Sequence, residues 1–366
     1  MLEQFHVKEG DAVRVQEVPL RATVTNIFEK LNVPSEDAQL AADVLVTADL
    51  RGVDSHGVSN MLRSYIAGYN RGEINPRPNW RIVRETPATA NIDSDRGLGI
   101  IVTPRAMEVA IEKARNVGVG MVTIYNGRHL GMASYHAMMA LKHDMIGICM
   151  TGCPPSVLPT FGAEPRLGTN PIALAAPAKE EPPFVYDAAT SVVAGNKIGL
   201  ASRLGIELAP GWVADQEGTP IMEPFPAPAS WSPGSPRSYH QLPLGSTREM
   251  GSHKGYGLAC VVDILSGVLS GTAYGMVPGR PNFSHFVGAY NIEAFTDVDT
   301  FKELMDSFLR DLKTTRPAPG HERVLYAGLA EWEVEQDRRA NGIPLHKEVV
   351  QWFQDICNEM AIPYIL

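Results

Sequence analysis

The tetrapeptide Asp54-Ser55-His56-Gly57 is the densest polar cluster in the first third of the chain, and it falls between the end of one helical pattern and the start of the next. Histidine titrates nearest neutrality, so a positioned His56 can give a proton to a carbonyl oxygen as a hydride reaches the carbon, or take it back in reverse. Ser55 can hold the ring or a substrate oxygen. The competing reading is a capping turn in which Asp54 or Ser55 caps the following helix and His56 is solvated. A hydrolase triad does not fit. Three successive side chains diverge, a triad is assembled from distant positions, and no Gly-x-Ser-x-Gly elbow occurs.

His129, His136 and His143 recur every seven residues. On a helix that spacing is roughly 10 Å along the axis, whereas two imidazoles sharing a zinc each lie about 2 Å from it, so one metal site is excluded. His129 instead belongs to a loop, Asn126-Gly127-Arg128-His129-Leu130-Gly131, that follows a strand, a place where ligands bind in α/β proteins. Gly168-Thr169-Asn170-Pro171 is a turn able to grip a carboxylate or phosphate. Asp187, at a strand end with Thr190 and Ser191 beyond it, suits a ribose or amide contact or a helix cap. Lys254, in a glycine-rich lead to an apolar helix, can neutralise a phosphate or remain an exposed lysine. No Gly-x-Gly-x-x-Gly is present: Gly97-Leu98-Gly99 and Gly118-Val119-Gly120 both lack the third glycine.

The elements that position these groups read as helices, then mixed α/β, then helices. Periodicity gives helices around 24–31, from Ser35 to Gly52, and from Ser59 with the stripe Met61, Leu62, Tyr65, Ile66, Tyr69. Between 86 and 152, strands at 89–92, 121–125 and 145–150 alternate with helices at 104–116 and 132–142. A strand at 184–187 and a helix near 191–202 follow. The Pro-, Ser- and Gly-rich stretch 219–243 reads as a surface excursion, 255–270 as a buried helix, 285–295 as a late strand, and 300–313, 330–339 and 347–360 as helices. This gives three segments: a helical 1–85 carrying the histidine, a central α/β 86–295, and a helical 296–366 that packs with the first. Hydrophobic residues make up 44% and charged residues 20% of 366, an ordinary globular composition, and the formal charge of −9 comes without a basic stripe for nucleic acid. Four scattered cysteines fit a reducing compartment. The amino terminus lacks a signal-peptide core, and 257–277 carries Asp263 and many small residues, unlike the roughly 20 apolar residues of a membrane span.

The stretches ADLRGVDSHGV, NGRHLGMASY, RLGTNPIALAAP, FVYDAATSVVAGNKI, GSHKGYGLACVVDILSGVLSG and RPAPGHE, in that order from about residue 40 to 322, resemble the malate/L-lactate dehydrogenase family that is unrelated to the Rossmann-type enzymes. The resemblance implies a non-Rossmann, mixed-sheet α/β domain that binds NAD or NADP, with a mainly helical layer from the two ends. It also implies a homodimer with the active site near the interface, which joins the cytoplasmic setting expected from the cysteines and the amino terminus. The substrate would be a small 2-oxo or 2-hydroxy carboxylate; a cyclic imine carboxylate reductase and a catalytically silent cofactor-binding relative are the alternatives. By the same resemblance His56 is the proton donor with Ser55 its partner, and His129 is a second acid/base candidate. Thr169 and Ser191 meet substrate. His129, Leu130, Gly131, Met132, Ala133, Asp187, Ala188, Ala189 and Lys254 meet cofactor, as do Pro319 and Gly320; no metal is implied. Many relatives carry an arginine four residues after the histidine. Asn60 stands there in this chain, and Arg63, about one turn on, is expected to orient the carboxylate with Thr169.

Overall fold

A computed structural model describes residues 5, 7–227, 239–272, 274–277 and 283–366. Helical spacing in the first seventy residues closes into α1 (Glu17–Lys30), α2 (Ser35–Leu50) and α3 (Val58–Asn70). Leu20, Val24, Ile27 and Phe28 of α1 are fully buried, as are Val44, Leu45 and Ala48 of α2, while α3 adds Leu62 and Tyr65. Pro34 occupies the place before α2, where its fixed φ suits entry into a helix.

The chain then builds a seven-stranded sheet. β2 (Arg81–Glu85) and β3 (Thr89–Asp93) form a hairpin, and α4 (Gly99–Val117) carries the chain to β4 (Val119–Gly127), parallel to β3. After α5 (Ala133–Met138) come β5 (Met145–Gly152), β6 (Ile172–Ala176) and β7 (Phe184–Ala188), each antiparallel to the last. The late strand runs antiparallel between β4 and β5, so the sheet order is β2-β3-β4-β12-β5-β6-β7, with Phe283–Asn291 as β12. One parallel pair among six is far from a doubly wound Rossmann sheet. α4 starts well before Pro104, which sits inside the helix. Its opening residues Gly99 to Thr103 are all buried, and that packing outweighs the hydrogen bond the proline forgoes.

Beyond β7, α6 (Gly195–Leu204) covers a satellite core of Phe5, Ile198, Trp212 and Tyr239. Two short ribbons join it: β8 (Glu207–Leu208) pairs with β10 (Phe225–Pro226), and β9 (Val213–Ala214) with β11 (His240–Gln241). Part of the expected 219–243 excursion therefore folds back by pairing; 228–238 lie outside the described residues. α7 (Ser252–Asp263) runs into one π-turn, Ile264–Val268. The expectation of a buried helix here is corrected. Ala259, Val262 and Ser266 are buried, but Leu258, Val261, Ile264, Val268 and Leu269 are 40–60% exposed along the opposite stripe.

α8 (Val298–Lys313) and α9 (Leu329–Asn341) lead to β13 (Ile343–His346) and α10 (Lys347–Glu359). β13 pairs antiparallel with β1 (Ala12–Val15), and Ile343, Leu345, Val349 and Phe353 join the core of α1 to α3. The two ends of the chain thus share one helical layer beside the mixed sheet. No helix among the described residues is long and apolar enough to cross a membrane.

Candidate active site

The Asp54-to-Gly57 turn is built from below by acids and an arginine. Asp49, in the last turn of α2, accepts the Val58 N–H through Oδ2 at 2.8 Å, which serves the first orphan donor of α3. Its Oδ1 is buried without a partner, and a Cβ on Gly57 would run into it, so only glycine fits there. Burial, reinforced by Asp54, raises the Asp49 carboxyl well above the usual range. Asp54 takes Arg338 Nη1 at 2.6 Å and Nη2 at 3.3 Å from α9, and Arg338 also donates to the Asp49 carbonyl. Arg51 meets Glu335 of the same helix at 2.8 Å. Asp54 is therefore an anchor, and neither it nor Ser55 caps α3.

Above this base His56 Nδ1 lies 2.9 Å from Ser55 Oγ, and its ring stacks on His129 with centroids 5.7 Å apart and planes 14° from parallel. His129 Nδ1 receives the Gly131 N–H at 3.2 Å and the Tyr65 hydroxyl at 2.8 Å. A backbone N–H can only donate, so this nitrogen carries no proton; the Tyr65 hydroxyl donates too, and the neutral ring holds its proton on Nε2. Phe283 stands edge-on to the ring at 5.5 Å. Burial lowers His56 to about 4, with Lys197 adding to the effect. Burial lowers His129 to about 3, helped by His56 and His285. Both imidazoles are neutral at pH 7. The His129 loop is held close to α4, because a Cβ on Gly99 would strike the Arg128 carbonyl and come within 2.7 Å of Leu130 Cα. Gly99, from a glycine pair wrong for a Rossmann turn, serves this contact, while Gly97 lies against Val102, Pro78 and the Ser94 carbonyl.

The other expected residues fall into distinct places. Asp187 Oδ2 accepts the Ser134 N–H at 2.7 Å in the first turn of α5, which joins the 129–133 loop to the end of β7. Desolvation holds its carboxyl up to about 6 against that hydrogen bond. Thr169 Oγ1 donates to Cys153 Sγ at 3.8 Å, and its carbonyl accepts the Thr190 N–H at 2.8 Å, so the Thr169 turn and the 187–191 segment meet. Ser191 donates to the Val193 carbonyl at 2.8 Å. Ala188 and Ala189, between Asp187 and Thr190, are half-buried, while Leu130, Met132 and Ala133 are buried. Lys254 is exposed in the first turn of α7 with no ion pair among the described residues. Pro319 and Gly320 form an exposed turn between α8 and α9, with φ +84° at Gly320. Asn60 Nδ2 turns back to the Ser55 carbonyl at 3.5 Å. Arg63 Nη2 pairs with Glu348 at 2.7 Å, and the guanidinium lies 4.7 Å over Trp352, both on α10. It ties α3 to α10, while its Nε is buried with no hydrogen bond among the described residues. His136 is buried with Nε2 2.8 Å from the Leu130 carbonyl, and His143 contacts Arg115 at the surface, so the three evenly spaced histidines serve different places.

The profile of the malate/L-lactate dehydrogenase family matches residues 15–354. The chain belongs to that family. It is 40% identical to a malate dehydrogenase of Pyrococcus horikoshii, over 99% of each sequence, and 37% identical to an L-sulfolactate dehydrogenase of Methanocaldococcus jannaschii, over 93% of this chain and 95% of the other. The crystal structure of a malate dehydrogenase from Entamoeba histolytica superposes with a TM-score of 0.91 at 34% identity, covering 96% of this chain and 99% of that one. The chain is an oxidoreductase of a nicotinamide-dependent family, acting on the CH–OH of a small hydroxy carboxylate.

Sequence reasoning missed several residues that shape this site. Tyr65 looked like one more member of an apolar stripe, and the only hint was a hydroxyl on a buried face. Asp49, Arg338 and Glu335 carry no local motif. Lys197 sits inside a quoted family stretch yet has nothing around it that marks a ligand. His285, which joins Thr151 Oγ1 at 2.8 Å and the Arg128 carbonyl at 3.0 Å, reads as an ordinary strand residue.

Proposed function

We propose that this chain interconverts a 2-hydroxy acid of the malate and sulfolactate kind and its 2-oxo form, with His56 exchanging the proton on the C2 oxygen. The observation that carries this reading is the stacked, neutral His56–His129 pair with its unequal wiring. His129 Nδ1 already accepts two donors, so that ring is fixed as an Nε2–H donor, able to hold the substrate oxygen but poorly placed to gain a second proton. His56 has one side-chain partner, Ser55, so its ring is freer to gain and lose a proton. A neutral His56 is a ready base for the alcohol; in the reductive direction an incoming substrate anion raises its pKa and lets it act as the acid.

The site suits NAD or NADP. Lys254, exposed and without an ion pair among the described residues at the positive end of α7, fits a phosphate, and Asp187 with the 129–133 backbone offers donors and acceptors for the rest of the cofactor. When bound, the cofactor supplies or accepts the hydride at C2 of the substrate. The protein's part is to orient the acid, hold its oxygen and move one proton. Thr169 and Ser191 stand as further substrate contacts, and Pro319 and Gly320 as outlying cofactor contacts.

The open apolar stripe Leu258, Val261, Ile264, Val268 and Leu269 supports a homodimer, since a second copy would cover it. Four free thiols support a cytoplasmic setting.

The deciding experiment follows absorbance at 340 nm with each cofactor against malate, sulfolactate, ureidoglycolate, their oxo forms and cyclic imine carboxylates. Turnover of a 2-hydroxy acid that collapses in His56→Ala with cofactor binding intact is the expected result. Turnover confined to imines, or an unaffected His56→Ala variant, overturns it.

A further inference from the structure

A carboxylate leaving water requires a cation or several donors. Most cations around the His56 turn are already engaged. Arg51 pairs with Glu335, Arg338 with Asp54, and Arg63 with Glu348. Arg203, toward the far end of α6, donates to the Ser59 carbonyl at 3.3 Å.

Lys197 differs. It lies in the first turn of α6, half-buried, with no hydrogen bond or ion pair among the described residues; its ammonium sits 5.5 Å from the centre of the Phe5 ring. Its helix is fastened to α3 just beyond His56, because Asn196 Nδ2 meets Met61 Sδ at 3.2 Å and Arg203 reaches Ser59. Among the described residues Lys197 is also the one charged group whose field bears on His56. Partial burial lowers the lysine's own pKa, with no carboxylate to offset the effect. A half-buried ammonium without an anion is a standing cost that a bound anion relieves.

We propose that Lys197 receives the substrate's C1 carboxylate beside His56, so that α6 rather than α3 sets which acids bind. This rests on the 2-hydroxy-acid reading above. An ammonium on a flexible stem gives a single point of attachment, unlike the two-pronged grip of a guanidinium, and so leaves the second acidic group of a substrate to other contacts.

The probe is oxamate, a carboxylate with an adjacent carbonyl, titrated calorimetrically into the protein saturated with NADH and, separately, with NADPH. Lys197→Met is expected to bind about ten- to a hundredfold more weakly than wild type, the loss of one charge-assisted hydrogen bond. Lys197→Arg is expected to stay within a few-fold, and Lys197→Gln stands in should the methionine variant not fold. In steady state the loss falls mainly on KM for the acid. Equal oxamate binding by the neutral variants, or no binding by wild type, overturns the assignment. The broader reading fails differently: wild type that binds oxamate through Lys197 yet turns over no hydroxy acid with either cofactor removes the proposed reaction and leaves the anion site standing.

Discussion

His56 and His129 present two similar rings with different freedom, and the difference can be tested by pH. The value of kcat/KM for hydroxy-acid oxidation reports the free enzyme, in which His56 must be neutral. Its depressed pKa, about 4, means activity is kept as pH falls through 6.5 and lost only on a limb near 4. A limb near 6.5 would show that His56 is ordinary or is not the base. Beneath the pair, Arg338→Leu leaves Asp54 buried without its cation, and a loss of about 3–5 kcal/mol is expected in urea unfolding. A loss under 1 kcal/mol would mean that Asp54 finds water. At this scale the sequence was readable where chemistry is local: Ser55-His56 and His129 stand in turns whose composition marks them. It was silent where a partner arrives from elsewhere. Nothing beside Asp54 announces Arg338, 284 residues away, and nothing beside Arg63 shows that Glu348 claims it.

At the level of elements, α4 and the His129 loop touch through a backbone without a Cβ. Gly99→Ala forces the two apart, and a displacement near 1 Å is expected to cost about a hundredfold in kcat with the fold retained. Unchanged kcat, with circular dichroism also unchanged, would show that the loop can yield. The helices were legible because one face of each is buried, and 3.6-residue spacing records that. β2 was not legible: all five of its residues are exposed, so no apolar alternation marks it. The start of α4 was misplaced for the opposite reason, since Pro104 is a strong local signal overruled by burial of the turn before it. α7 misled by composition. Apolar residues on both sides of a helix do not say whether the second side is covered by the same chain.

For the molecule as a whole, four histidines are held neutral by burial: His56 and His136 at about 4, His129 and His285 at about 3. In the unfolded chain they titrate near 6.5, so unfolding binds protons below that pH, and stability, full above 6.5, falls as pH drops toward 4. Asp37, Asp49, Asp187 and Asp263, whose carboxyls are raised, act in the opposite sense and offset part of that uptake. Urea midpoints should therefore be clearly lower at pH 5 than at pH 7; equal midpoints would contradict the burial of these rings. Light scattering should give twice the chain mass for wild type and a monomer for Ile264→Asp, and a monomeric wild type would remove the proposed homodimer. The Arg338–Asp54 pair also sets a timetable. At roughly 5–20 residues per second, synthesis delivers Asp54 about a quarter of a minute to a minute before its arginine. Over that interval the nascent Asp54-to-Gly57 turn has no counter-charge, so a stall before α9 would leave a chain able to form its first helices yet unable to set His56 in place.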